Sequence, residues 1–139
     1  MVAAVLVLVQ WVAHERAPFD AGPSSAPDSF DRIEAAFGAA GLQVCAATDR
    51  PDGLAAQAVA SRSYELAVRC PADPARVVVD RCADVADRDA AAQRFEALSR
   101  PRGSGVVYTL GDTTIFVQGS ADDAVQDRLS PALRAAGAR

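Results

Sequence analysis

Apolar positions along this chain recur at helical spacing, then alternate, then run together, and each change of period marks an element. Phe30, Ile33, Phe37 and Ala40 share one helical face, which predicts a helix over about 29–40. Asp28 or Ser29 can cap its start, and Gly41 can end it. "LQVCAAT" (42–48) then reads as a strand, and "DRPDG" (49–53) is turn chemistry. "LAAQAVA" (54–60) fits either a helical turn or a loop. "SYELAVRC" (63–70) alternates: Tyr64, Leu66, Val68 and Cys70 oppose Ser63, Glu65, Ala67 and Arg69, the pattern of a half-buried strand. After the turn "PADPA" (71–75), "RVVVDRC" (76–82) reads as a third strand, and its valine run suits a central position.

Asp84 can cap a helix running to about Ser99, with Ala91, Phe95 and Leu98 inward. "GVVYTLGDTTIFVQG" (105–119) places two β-rich runs around Gly111–Asp112, a two-residue hairpin loop. That loop pairs Leu110 with Thr113, Tyr108 with Ile115 and Val106 with Val117 on an apolar face. Val107 and Phe116 then share the opposite face, which is either covered or presents a small apolar patch open to a partner. "SADD" (120–123) matches a capping box, and Val125, Leu129, Leu133 and Ala136 point inward from a last helix that Pro131 kinks or restarts. The order α-β-β-β-α-β-β-α predicts an α+β two-layer sandwich. Its mixed or antiparallel sheet has about five strands, with three helices on one face.

Ahead of this domain, "VAAVLVLVQWVA" (2–13) holds a single polar side chain, Gln10. As a helix it spans about 18 Å, against a hydrocarbon core of about 30 Å. The run lacks a basic flank before it, a good small-x-small cleavage site and a following lipoprotein cysteine. Trp11 suits the aromatic belt of a membrane interface. "APFDAGPSSAPD" (17–28) has the Pro, Gly, Ser and Asp content of a linker. The expected organisation is a hydrophobic signal anchor or uncleaved signal (1–14), a linker (15–28) and one domain (29–139). The alternative is that the apolar run packs on the domain as a strand or helix.

Composition narrows the chemistry. The 139 residues are 50% hydrophobic and 23% charged, which is globular and leaves room for one domain. All 14 cationic side chains are Arg, as in a GC-rich coding sequence. With a net charge of −4 and no basic stripe, nucleic-acid binding is disfavoured. The single histidine, His14, precedes the linker, so the domain has none. Ser-His-Asp and Cys-His catalysis and His-ligated zinc are disfavoured accordingly. Cys45, Cys70 and Cys82 form no CxxC motif. If the domain lies outside the cytoplasm, one disulfide is expected and Cys45–Cys70 is the favoured pair. Against it stands the alternation, which puts the two cysteines on mismatched faces. The alternative is three buried thiols.

"RPRGSG" (100–105) offers Arg100, Arg102, Gly103 and Ser104 as ligand-binding candidates, since two guanidinium groups on a Gly-rich backbone suit a phosphate or carboxylate. It lacks the ending and the strand-loop-helix order of a Walker loop. The bland reading is a connector whose arginines offset a helix C-terminal dipole. Asp80, Asp84, Asp87 and Asp89 cluster without the spacing of a calcium loop. No catalytic residue, metal or cofactor is implied.

In outline, strand-helix-hairpin-helix over 76–136 resembles the peptidoglycan-binding SPOR domain, a small α+β module on a membrane stalk. The likeness covers element order and no motif. Three functional readings follow. The first is a membrane-tethered, extracytoplasmic, non-enzymatic domain that meets the membrane through residues 2–13 and binds a protein, an envelope polymer or a small ligand. The second is a structural subunit of a membrane complex. The third is a small enzyme working with carboxylates and arginine.

Overall fold

Turn chemistry and period together set the elements of the computed structural model, which describes residues 28–51, 53, 58–102, 105–119 and 124–139. In chain order they are α1 (Ser29–Ala39), β1 (Gln43–Arg50), β2 (Ala58–Ala67), β3 (Ala75–Cys82), α2 (Val85–Ser99), β4 (Gly105–Leu110), β5 (Thr113–Gln118) and α3 (Ala124–Ala135). The class is α+β, in the order the sequence predicts. The sheet has five strands ordered β1-β2-β3-β5-β4, each pair antiparallel. The valine-rich β3 is central. The hairpin register pairs Leu110 with Thr113, Tyr108 with Ile115 and Val106 with Val117, as the two-residue loop requires. Gly111 takes a φ of 58° there, a conformation that favours glycine.

Strand alternation gives the sheet two apolar sides, and the helices divide between them. On the first, Ile33 and Phe37 of α1 and Val125, Leu129 and Leu133 of α3 bury Tyr64, Leu66, Val77, Val79, Ile115 and Val117. Phe37 meets Tyr64 edge to face, ring centroids 5.1 Å apart. On the second, Ala91 and Phe95 of α2 pack with Cys82, Val107 and Phe116. The rings of Phe95 and Phe116 stack at 5.4 Å. Thus α1 and α3 form one layer with the sheet, and α2 adds a partial third over β4 and β5. The face of Val107 and Phe116 is covered, and both side chains are half-buried.

Local differences have local causes. Asp28 stands at the N-cap of α1 but makes no cap hydrogen bond, because its carboxylate turns to Arg81 at 3.4 Å. Gly41, at φ 69°, ends α1 while Leu42 N–H donates to Phe37 O. Asp84 does cap α2, accepting from Asp87 N–H at 2.8 Å. Leu98, expected inward, is 66% exposed, since α2 turns Ala91, Ala92 and Phe95 to the sheet. Pro131 lies inside a continuous α3.

Residues 1–27, which carry the apolar run and nearly all of the linker, lie outside the described residues, as does the capping box at 120–123. Among the described residues no helix is long and apolar enough to cross a membrane.

Candidate functional site

A recess lined by β2, β3 and β5, and by no residue of α2, lies at one end of the sheet. Register builds this cleft. Glu65 of β2 pairs with Arg76 of β3, Arg76 with Gln118 of β5, and Gln118 with Gly105 of β4. Partners across antiparallel strands project to the same side, so Glu65, Arg76 and Gln118 form one polar row. With Pro74, Ala75 and Gly119 they line a space of about 380 Å³. The space is shallow and open to solvent, with Pro74, Arg76 and Gln118 exposed in its wall. At Gly105 the row ends under the Phe116 ring, where a Cβ would stand 2.7 Å from a ring carbon.

The row is chemically idle within the fold. Among the described residues, Glu65, Arg76 and Gln118 have no side-chain hydrogen bond or ion pair. Glu65 and Arg76 face each other without closing a salt bridge. A carboxylate, a guanidinium and an amide are all left with bonding capacity.

Of the ligand-binding candidates read from the sequence, Arg100 and the backbone of Arg102 are described. Arg100–Arg102 form a short 3₁₀ turn after α2, and the chain enters β4 at Gly105, the partner of Gln118. Arg100 is exposed at the C-cap of α2, where its charge suits the helix dipole. Gly103, Ser104 and the side chain of Arg102 lie outside the described residues. The polar row itself escapes sequence reasoning. Its members lie 11 and 42 positions apart (76 − 65 and 118 − 76). Only the register joins them, and the turn at 68–74 sets that register between β2 and β3.

One covalent bond shapes that turn. Cys45 and Cys70 form a disulfide, with Cα atoms 5.6 Å apart. The pairing of β1 with β2 shifts between Val44 and Ala46, so Cys45 occupies a bulge. β2 ends at Ala67, which puts Cys70 in the turn. Neither cysteine obeys strand alternation, and this resolves the mismatch of faces. Gln43 Oε1 accepts from Cys70 N–H at 2.9 Å. The turn so fixed leads directly to Pro74 and Arg76 in the cleft wall.

Several of the other charged groups join elements of the fold. Arg62 Nε donates to Asp49 Oδ1 at 2.6 Å and Nη1 to Glu34 Oε1 at 2.9 Å. The hydrogen bond to Asp49, then those to its other partners, holds the guanidinium above its ordinary pKa range. The Tyr64 hydroxyl donates to the same Glu34 oxygen at 2.6 Å. Burial first, and then Glu34, raises its pKa. The Phe30 ring lies 5.2 Å from the Arg62 guanidinium and 5.9 Å from that of Arg81. Together these contacts clamp the start of α1 to the sheet.

Asp80 is buried and accepts from the Ser61 hydroxyl at 2.5 Å. Asp84 caps α2, and Asp89 pairs with Arg88 at 2.6 Å. Cys82 is a buried free thiol whose pKa rises through desolvation and then the nearby Asp80. Among the described residues no three His, Cys, Asp or Glu side chains gather as a metal site.

Comparison with models of known protein families, with curated proteins and with solved structures finds no match to this chain.

Proposed function

We propose that this chain is a membrane-tethered, extracytoplasmic, non-enzymatic binding module. Residues 2–13 are the anchor, 15–28 the linker, and 29–139 the binding domain. The observation that carries this reading is the Cys45–Cys70 disulfide. Such bonds persist in oxidising compartments and are rare in a reducing cytosol. The cleft supports the binding half of the proposal, because its polar side chains have capacity to spare. The enzymatic alternative needs a deep pocket holding Arg100 or Arg102 with a desolvated acid, and the side chain of Arg102 lies outside the described residues. One observation favours a structural subunit instead. β1 is an edge strand, and Val44 on it is 45% exposed.

Thiol accounting in intact cells tests the compartment. Cells are treated with a membrane-impermeant maleimide, with and without an impermeant reductant, and adducts are counted by mass. The expected result is no adduct without reductant, two together with it, and a third only after lysis in denaturant. If all three thiols label only after lysis, and without reductant, the domain is cytoplasmic and the proposal falls.

A further inference from the structure

We infer that the cleft between β2, β3 and β5 binds a free α-amino acid with a short polar side chain. The inference rests on the reading of this domain as a binding module, but not on its compartment. Order along the row carries it. Glu65 comes first, Arg76 in the middle and Gln118 last, on three adjacent strands. Opposite residues on neighbouring strands have Cβ atoms about 5 Å apart. The head of an α-amino acid has its ammonium and carboxylate on one carbon, matching two neighbouring positions of the row. The guanidinium of Arg76 takes a carboxylate through paired N–H donors. Glu65 beside it accepts from the ammonium. Gln118, beyond Arg76, both donates and accepts, as a hydroxyl or amide side chain requires.

The same order excludes neighbouring ligand classes. A phosphate or sulfate would satisfy Arg76 but meet the Glu65 carboxylate one strand away. In a dipeptide the peptide group separates the ammonium from the carboxylate, whereas the row sets those two partners next to each other. An apolar side chain would desolvate Gln118 without replacing its hydrogen bonds. The space of about 380 Å³ suits one amino acid with its bridging waters. Pro74 and the backbone of Ala75, whose side chain packs into the α1/α3 core on the other face, border it.

The test is a titration of the full ¹⁵N-labelled chain in detergent with L-glutamine, followed by amide chemical shifts. Parallel titrations use N-acetyl-L-glutamine, L-glutamine amide, L-leucine, alanyl-alanine and sulfate. Shift changes at Glu65, Arg76, Gln118 and Gly119 are expected, saturating at millimolar concentration, about −4 kcal/mol at 1 mM. Arg76→Ala and Glu65→Gln are each expected to weaken binding about tenfold or more, as loss of one charge-assisted contact does. Neither side chain has a hydrogen-bond or ion-pair partner among the described residues, so melting temperature is expected to hold, and thermal melts of both variants check this. Absence of shifts up to about 10 mM overturns the inference. So does equal binding of either blocked derivative, or tighter binding of alanyl-alanine or sulfate. Binding of glutamine by a domain whose thiols prove cytoplasmic keeps this ligand and removes the tethered placement. Loss of binding with external thiols does the reverse.

Discussion

The Tyr64 hydroxyl and the Glu34 carboxylate meet at 2.6 Å across the boundary between the sheet and α1. Tyr64 is buried in β2, and Glu34 stands on the rim of α1. Arg62, two residues before Tyr64 and so on the same side of β2, reaches the same oxygen at 2.9 Å. The core thus ends in a polar lid, where an aromatic body is buried and its hydroxyl still has an acceptor.

Tyr64→Phe removes that hydroxyl and little packing. Glu34 keeps Arg62 and solvent, so the expected cost is about 1.5 kcal/mol, the low end of the range for bonds to charged groups. The alkaline limb of stability carries a second signature. The folded pKa of Tyr64 is raised above the unfolded value near 10. Its contribution is complete below about pH 10 and is lost as pH rises from there through the folded pKa. Urea midpoints measured from pH 7 to 11 are expected to fall less steeply above pH 10 in Tyr64→Phe than in the parent.

Reduction of Cys45–Cys70 releases a loop of 25 residues. Chain entropy puts that loss at about 3.5 kcal/mol. The paired variant Cys45→Ser/Cys70→Ser is expected to show the same loss without reductant, while the parent shows it only with reductant. Urea unfolding followed by circular dichroism separates the cases. Equal midpoints for oxidised and reduced parent would mean that β1 is held by its ladder alone.

Most of the fold was legible because its signals are local. The Gly111–Asp112 loop dictates a register, and the apolar spacing of Val125, Leu129 and Leu133 dictates a buried helix face. What was not legible depends on contacts between distant segments. The assignment of α2 to the second face follows from Phe116 and Thr114 pointing away from Ile115, a choice that needs the finished sheet. Cys45 and Cys70 defeated alternation because a bulge and a strand end both break period two. The row of Glu65, Arg76 and Gln118 was not legible, because no sequence spacing encodes it.

Phe95 and Phe116 hold the third layer in place. Truncating Phe95 to Ala is expected to cost about 3 kcal/mol, the low end for a buried aromatic. A double-mutant cycle with Phe116→Ala is expected to return a coupling near 1 kcal/mol. Leu98→Ala on the same helix is expected to change stability by less than about 0.5 kcal/mol, because its side chain is 66% exposed. If Leu98→Ala costs as much as Phe95→Ala, α2 is rotated from the orientation described, and Val107 and Phe116 are open to a partner after all.

Ser61 and Asp80 face each other across β2 and β3 with almost no access to water, at 5% and 1% exposure. The hydroxyl donates to the carboxylate at 2.5 Å. A buried carboxylate that loses a donor keeps its desolvation cost but not the compensating bond. Ser61→Ala is therefore expected to destabilise by about 1–3 kcal/mol, despite deleting a single oxygen. Asp80→Asn keeps the shape and removes the charge. In that background Ser61→Ala is expected to cost less, by at least about 1 kcal/mol, because a neutral amide is cheaper to leave under-bonded. Chemical denaturation of the four variants measures the difference. Equal costs in both backgrounds would mean that Ser61 acts by packing, and that the other contacts of Asp80 hold its carboxylate in place.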